Sequence, residues 1–167
     1  RPVAVYASDV NGDGITELPR AVLMAGYKDT SSSDAVYMLD WYAYGIGKVP
    51  TKVATTYQNI SDAWSLLIDQ KWHDRITAIK VSDGGLSYVE FFEYRKNKMS
   101  IPLFNIYCAT GSNREYYAER TDLIQLGQTT QAIYFAKLTN EGEQSELALT
   151  GDEIKARFSL VNQAWNN

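Results

Sequence analysis

The stretch LSYVEFFEY, residues 86–94, decides the fold class of this chain. Branched and aromatic residues recur in it with a period close to two, which is typical of a β-strand. An Asp-Gly-Gly turn precedes it at residues 83–85, and Lys-Asn-Lys follows it at residues 96–98. Turn residues at both ends of an alternating run predict a meander of antiparallel strands, in which residues 76–81 and 100–109 form the neighbours.

The same criteria extend the sheet in both directions. A Gly-Ile-Gly turn at residues 45–47 predicts a hairpin between its two flanking runs. The further predicted strands cover residues 3–7, 19–24, 35–44, 52–58, 64–68, 122–126 and 131–138.

Two capping boxes predict the helices. Each consists of a Ser or Thr followed by Glu three positions later, and they begin at Ser112 and Thr150. The first predicts a short helix that ends near Thr121. After the second, apolar residues at helical spacing predict an amphipathic helix packed on one face of the sheet. These residues are Ile154, Phe158, Val161 and Trp165. The expected class is therefore α+β, with a mostly antiparallel β-sheet.

Length and composition favour an ordinary globular domain. The chain has 167 residues, enough for one domain or for a domain with an extension. A shift in composition near Asn59 suggests an N-terminal β extension at residues 1–58 and an α+β domain at residues 59–167; a single domain is the alternative. The net charge of −4 offers no basic face for nucleic acid. No apolar run approaches the ~20 residues of a membrane span. The abrupt start at Arg1 is expected for a domain taken from a longer precursor.

The segment DVNGDGITE, residues 9–17, predicts a calcium site. Short oxygen-bearing side chains alternate along it, and calcium takes six to eight oxygen ligands. Gly14 allows a tight turn because glycine tolerates a positive φ. The predicted ligands are the side chains of Asp9, Asn11, Asp13 and Glu17 and the carbonyl of Ile15.

This loop differs from an EF-hand. The twelfth position, where an EF-hand has its bidentate Glu, falls on Arg20, and Pro19 would interrupt the helix that should follow. A plain hairpin turn is the alternative interpretation, because Asn-Gly and Asp-Gly both favour such turns. A turn alone would not need acids at positions 9 and 17.

Aromatic residues suggest a second kind of site. Exposed flat rings can stack on sugars, and the candidates for ligand stacking are Trp41, Tyr42, Trp64 and Trp72. Core packing is the competing interpretation. Alternation along residues 37–42 assigns Tyr37, Leu39 and Trp41 to the core face and leaves Tyr42 as the better exposed ring.

Signals for catalysis are weak. The single histidine, His73, and the single cysteine, Cys108, fall short of a zinc ligand set. His73 is expected at the surface, and Cys108 as a buried small hydrophobe. A hydrolase with paired carboxylates is a lesser alternative, with Asp40, Glu90 and Glu93 as strand acids.

The loop at residues 9–17 is similar to the calcium loop of FG-GAP (VCBS) repeats. Together with aromatic and turn patterns at residues 40–72 and 102–138, the chain resembles the C-terminal module of uncharacterised Firmicutes lipoproteins and VCBS-repeat proteins. The chain departs from the repeat family in having one such loop, which cannot build a propeller of several blades. The resemblance implies a structural Ca²⁺ held by the five ligand residues and no reaction.

The resulting functional prediction is a non-enzymatic, extracytoplasmic module of a Gram-positive cell envelope, secreted or anchored as a lipoprotein. Its expected partners are preceding domains of the same precursor, with a cell-surface protein or glycan as a further possibility. No nucleic acid and no transmembrane segment are expected. A carbohydrate-binding module is the main alternative.

Overall fold

The computed structural model describes residues 5–28, 35–112 and 114–161, which form two antiparallel sheets of five strands each. The first sheet has the order β1-β2-β3-β4-β10, and the second has the order β5-β6-β7-β9-β8. The predicted class, α+β with mostly antiparallel sheet, is confirmed. The strands are β1 Leu18–Leu23, β2 Tyr37–Ala43, β3 Thr51–Asn59, β4 Trp64–Leu67, β5 Ile76–Asp83, β6 Leu86–Arg95, β7 Lys98–Thr110, β8 Ile124–Gln128, β9 Ala132–Leu138 and β10 Phe158–Leu160.

Helical segments are short and lie between strands. A 3-10 helix covers Gln70–Trp72, and the α-helices are α1 Arg114–Ala118, α2 Asn140–Glu143 and α3 Gly151–Arg157. Helix α1 is shorter than predicted from its capping box, and α2 was not predicted. Thr139 caps α2 by accepting a hydrogen bond from the Gly142 N–H.

The main core combines residues of both sheets. Tyr57 of β3 meets Phe91 of β6 edge to face, with ring centroids 5.5 Å apart. Phe91 stacks in turn on Phe104 of β7. Aromatic pairs of this kind add to the free energy gained by burying their area. The core therefore joins the two sheets through their facing aromatic side chains.

The C-terminal helix begins as predicted but ends early. Thr150 and Glu153 form the full capping box, and Ile154 is buried. At Phe158, however, the chain enters β10, which pairs with β4 and places Phe158 on the ring of Trp64. The helical assignment of Phe158 and Val161 was wrong, because the free edge of β4 offers backbone partners that local spacing does not reveal. Trp165 lies outside the described residues.

The N-terminal strand predicted at residues 3–7 is absent from its described part, residues 5–7. Instead, the backbone of Ser8 pairs with Glu17 in an isolated antiparallel bridge. Residues 3–4 and most of the polar loop after Lys28 lie outside the described ranges. The division at residues 58 and 59 stays a prediction; in the structure it falls between β3 and β4, which are neighbours in one sheet.

Candidate metal centre

The loop at residues 9–17 is closed at its base by backbone hydrogen bonds. The Ser8 N–H donates to the Glu17 carbonyl at 3.1 Å, and the Glu17 N–H donates to the Ser8 carbonyl at 2.9 Å. Gly14 has a φ of 83°, as predicted, and Gly12 has a φ of 76°. Both values lie in the left-handed region that glycine adopts without a steric penalty. The two glycines let the chain turn back on itself within nine residues.

The Asp9 carboxylate organises the interior of this loop. It accepts hydrogen bonds from the backbone N–H groups of Gly12 at 2.7 Å, Asp13 at 3.1 Å and Gly14 at 2.9 Å. Asp13 accepts from the Ile15 N–H at 2.8 Å. Asp and Asn side chains favour such local bonds to the backbone. The alternation of short polar residues therefore winds the chain around its own carboxylates.

Three carboxylates converge in the loop. Oxygens of Asp9, Asp13 and Glu17 all lie within 4.8 Å of one another. Asp9 and Asp13 are exposed, whereas Glu17 is 0% exposed. Like charges this close repel one another unless a cation lies between them. The arrangement opens to solvent through the two aspartates and is closed below by the glutamate.

Glu17 carries the feature that distinguishes this loop from a simple turn. Its Oε2 accepts a hydrogen bond from the Val10 N–H at 2.9 Å. Its Oε1 is buried and has no hydrogen-bond partner, the one such side-chain atom among the described residues. An unsatisfied buried polar atom costs about 1–3 kcal/mol, and more when it is charged. A cation bound among the three carboxylates would remove that cost, so these residues fit the predicted metal.

The remaining predicted ligands are Asn11 and Ile15. The Asn11 amide lies beside Asp13: its Nδ2 donates to Asp13 Oδ2 at 2.9 Å, and its Oδ1 accepts from the Asp13 N–H at 3.1 Å. The Ile15 side chain is exposed, and the role of its carbonyl stays a prediction. Oxygen ligands without sulfur or imidazole suit a hard cation such as calcium.

The predicted stacking rings lie elsewhere. Trp41, Trp64 and Trp72 are buried, as the core-packing interpretation requires and as the alternation predicted for Trp41, and none of the three is exposed for ligand stacking. The indole N–H of Trp41 donates to Thr56, and that of Trp72 donates to the Leu147 carbonyl. Buried indoles usually have such partners. Tyr42 is half-buried, in the register position between Leu18 and Lys52.

The assignment of faces along β2 was right in that Leu39 and Trp41 are buried and Tyr42 is more exposed than Trp41, but Tyr37 is exposed. Met38 belongs to the core between the sheets, yet Leu39 and Trp41 on the other face of the strand are buried as well. Alternation distinguishes two faces only when one of them is exposed to solvent. Because β2 is covered on both sides, its pattern could not identify the inter-sheet face.

An aromatic row that was not predicted crosses the second sheet. Tyr107 stacks on Phe135 at a centroid distance of 4.8 Å, Tyr117 also stacks on Phe135 at 5.1 Å, and Tyr88 lies 5.0 Å from Tyr107. These rings present their faces to one another. Sugar stacking needs a free ring face, so the row packs the sheet surface rather than forming a flat platform.

A cleft with a volume of about 650 Å³ lies beside β3, β4 and the 3-10 helix. Asp69 is the one carboxylate among its described lining residues, and it is paired with Arg157 at 2.6 Å. His73 lies at the cleft and is exposed, as predicted. Retaining and inverting glycoside hydrolases both require two carboxyl groups, and this lining supplies one.

The strand acids have internal partners. Asp40 accepts a hydrogen bond from the Thr55 hydroxyl at 2.6 Å. Glu93 is buried and bonded to Ser145 and Arg95, whereas Glu90 is half-buried on the opposite face of β6. Cys108 is buried, as predicted, and burial raises the pKa of its thiol to about 11. The contacts of Asp40 and Glu93 and the burial of Cys108 indicate structural roles for these side chains.

Comparisons with protein-family models, curated proteins and solved structures found no match to this chain. Among the described residues, no helix has the length and apolar character needed to cross a membrane.

Proposed function

We propose that this chain is a non-enzymatic, calcium-binding module that works outside the cytoplasm as part of a bacterial envelope protein. The observation that carries the proposal is the buried, unpartnered Oε1 of Glu17, a residue whose carboxylate has an oxygen within 4.8 Å of oxygens of Asp9 and Asp13. In a simple hairpin turn, the burial of this oxygen would cost free energy with no compensation. A bound cation would compensate for that cost.

Calcium is the cation that the loop suits best. Zinc and copper sites use nitrogen and sulfur ligands, and this loop contains neither His nor Cys. Magnesium demands octahedral geometry at ~2.0–2.1 Å and keeps much of its water. A loop built from three carboxylates, an amide and a carbonyl matches the larger, more variable shell of calcium.

The proposed role of calcium is structural. It would fix residues 9–17 against the start of β1 and so fix how a preceding domain of the same precursor joins this one. Sites of extracellular modules have a Kd of ~10⁻⁴–10⁻³ M, which millimolar calcium fills. The resemblance to lipoproteins and VCBS-repeat proteins supports an extracytoplasmic location.

Calcium is expected to raise the free energy of unfolding by about 2.7 kcal/mol when its concentration is ~100-fold above the Kd. Asp13→Ala should remove most of this gain and change stability in EDTA by less than ~1 kcal/mol, because the Asp13 side chain is exposed and bonds only within the loop. Thermal unfolding in calcium and in EDTA measures both quantities.

Asp83→Ala is the matched control. Asp83 is also an exposed aspartate before a glycine of positive φ, but it is the last residue of β5, at the turn into β6. It should leave the calcium response unchanged. Equal losses for Asp13→Ala in calcium and in EDTA would contradict the proposal, as would a wild-type chain that does not respond to calcium in titration calorimetry.

A further inference from the structure

The tip of the β2–β3 hairpin, residues 44–50, exposes apolar side chains to an unusual degree. Ile46 is 105% exposed and Val49 is 86% exposed, and Tyr44 is exposed beside them. Single exposed apolar residues are ordinary, but a cluster of them marks an interaction surface. These side chains project into solvent from the connection between β2 and β3.

This hairpin tip and the calcium loop lie at the same end of the first sheet. Leu18, which follows the calcium loop directly, is opposite Tyr42 in the register of β1 and β2. The tip begins just beyond, after Ala43, which is opposite Thr51. Ile15 and Leu18 add two more exposed apolar side chains at this end. Two adjacent loops therefore extend in one direction from the sheet edge.

Calcium would change the charge of this end. Residues 9–17 contain three carboxylates and residues 44–50 contain one cation, Lys48, which gives a formal charge of −2. One bound Ca²⁺ brings the formal charge to zero. Asp9 and Asp13 are exposed, so the bound cation would face solvent. Five predicted ligand residues leave room in a shell of six to eight oxygens for an external anionic oxygen.

We propose that the calcium-loaded loop and the hairpin tip dock together on an anionic phospholipid surface. This inference rests on the calcium site proposed above. A lipid phosphate would complete the calcium shell, Ile46 and Val49 would enter the acyl boundary, and Lys48 would meet anionic headgroups. Tyr44 suits the interface, where aromatic rings with a polar end are enriched.

The shape of the tip favours a lipid surface over a protein. Protein interfaces have well-packed, closely complementary cores, and a partner would need a deep pocket for two fully projecting side chains. A bilayer accommodates a projecting apolar loop without a preformed pocket. Without calcium, the negative charge of the two segments would be repelled by anionic lipid, so docking depends on the cation.

Co-sedimentation with equimolar phosphatidylcholine and phosphatidylglycerol vesicles tests the proposal. Binding is expected in calcium and lost in EDTA or on pure phosphatidylcholine. The double variant Ile46→Ser and Val49→Ser should weaken binding roughly 10- to 100-fold, because two buried apolar side chains are lost. Its calcium affinity, measured by calorimetry, should stay that of the wild type.

Met99→Ser is the control for a general loss of exposed apolar surface. Met99 is exposed and lies opposite Tyr94 in the register of β6 and β7. The Tyr94 ring packs against Gly26, which comes shortly after the last residue of β1. Met99 therefore lies near the end of β1 that is remote from the calcium loop. The Met99→Ser variant should bind vesicles as the wild type does.

The lipid proposal would be overturned, and the calcium site left intact, by a chain that binds calcium but not vesicles. A double variant that binds vesicles as well as the wild type does would have the same consequence. Calcium-dependent self-association without lipid, measured by sedimentation velocity, would assign the tip to a second copy instead. A chain that binds no calcium would overturn both proposals.

Discussion

Two buried glutamates in this chain have opposite surroundings. Both Glu17 and Glu93 are 0% exposed. Glu93 Oε2 accepts a hydrogen bond from the Ser145 hydroxyl at 2.9 Å, and Oε1 is paired with Arg95 and lies 4.0 Å from Arg75. Glu17 has one backbone N–H on Oε2 and no partner on Oε1. One carboxylate is satisfied by the chain, and the other is only half satisfied.

The partners of Glu93 show what it does. Ser145 lies between α2 and α3, and the same connection places the Leu147 carbonyl on the indole of Trp72. Glu93 therefore fastens this connection to β6 from within the fold. Among the described residues, the one hydrogen-bond partner of the Glu17 carboxylate is the Val10 N–H. The contrast teaches that a buried charge with internal partners indicates structure, whereas one lacking a partner indicates a ligand from outside.

The largest effect is expected at Glu93. Glu93→Ala should lower the free energy of unfolding by about 3–4 kcal/mol, because it removes a buried carboxylate that pairs with the half-exposed Arg95 and holds the Ser145 connection. The loss should be equal in calcium and in EDTA, as measured by urea unfolding. Glu90→Ala on the opposite face of β6 is the control and should cost less than ~1 kcal/mol. A loss that appears only in calcium would break the contrast between the two glutamates.

A smaller, conditional effect is expected at Glu17. Glu17→Gln keeps the shape of the side chain but removes a charge that is costly to bury without a partner. In EDTA the variant should be as stable as the wild type or more stable. In calcium at ~100-fold above the wild-type Kd, it should lack the gain of about 2.7 kcal/mol.

Paired unfolding curves in calcium and EDTA separate these outcomes. The sign of the change in EDTA is the decisive quantity, since Glu93→Ala must be negative there and Glu17→Gln must not be. A Glu17→Gln chain that loses stability equally under both conditions would show that Glu17 acts as Glu93 does, through the fold alone.

The part of this contrast that could be predicted from the sequence is the local conformation of the loop at residues 9–17. The positive φ at Gly14 follows from residues within one short segment, so spacing was sufficient to predict it, whereas the backbone hydrogen bonds to Asp9 were not predicted. The spacing of the acids did not predict that Glu17 is 0% exposed or that its Oε1 has no partner. The same holds for Phe158, where the local helix signal yielded to pairing with β4.

The aromatic residues illustrate the limit on the functional side. Trp41, Trp64 and Trp72 are typical of stacking sites and of cores alike, and only the packing of two sheets decides between them. Ile46 lay in a segment correctly predicted as a turn. Turns are usually polar, and an isoleucine between two turn glycines departs from that rule. This departure was the signal in the sequence that pointed to the hairpin tip.

The smallest effect concerns pH and tests the internally satisfied region. Burial raises the pKa of the Cys108 thiol to about 11 and that of Tyr134 to about 12, and it also raises the pKa of Tyr57. A raised pKa in the folded state stabilises the fold fully below the unfolded pKa and is lost as pH rises toward the folded pKa. For Cys108 this window runs from pH 9 to about 11. Raising the pH from 8 to 10 should cost about 1–2 kcal/mol, measured by urea unfolding.

Cys108→Ala separates the thiol from the tyrosines. It should lower stability at pH 8 through the lost packing, but its stability should fall less steeply toward pH 10 because the thiol contribution is gone. A slope equal to that of the wild type would mean that the thiol does not govern the alkaline loss. If the free energy of unfolding of the wild type stays constant up to pH 10, the core around Cys108 is more accessible to solvent than its burial indicates.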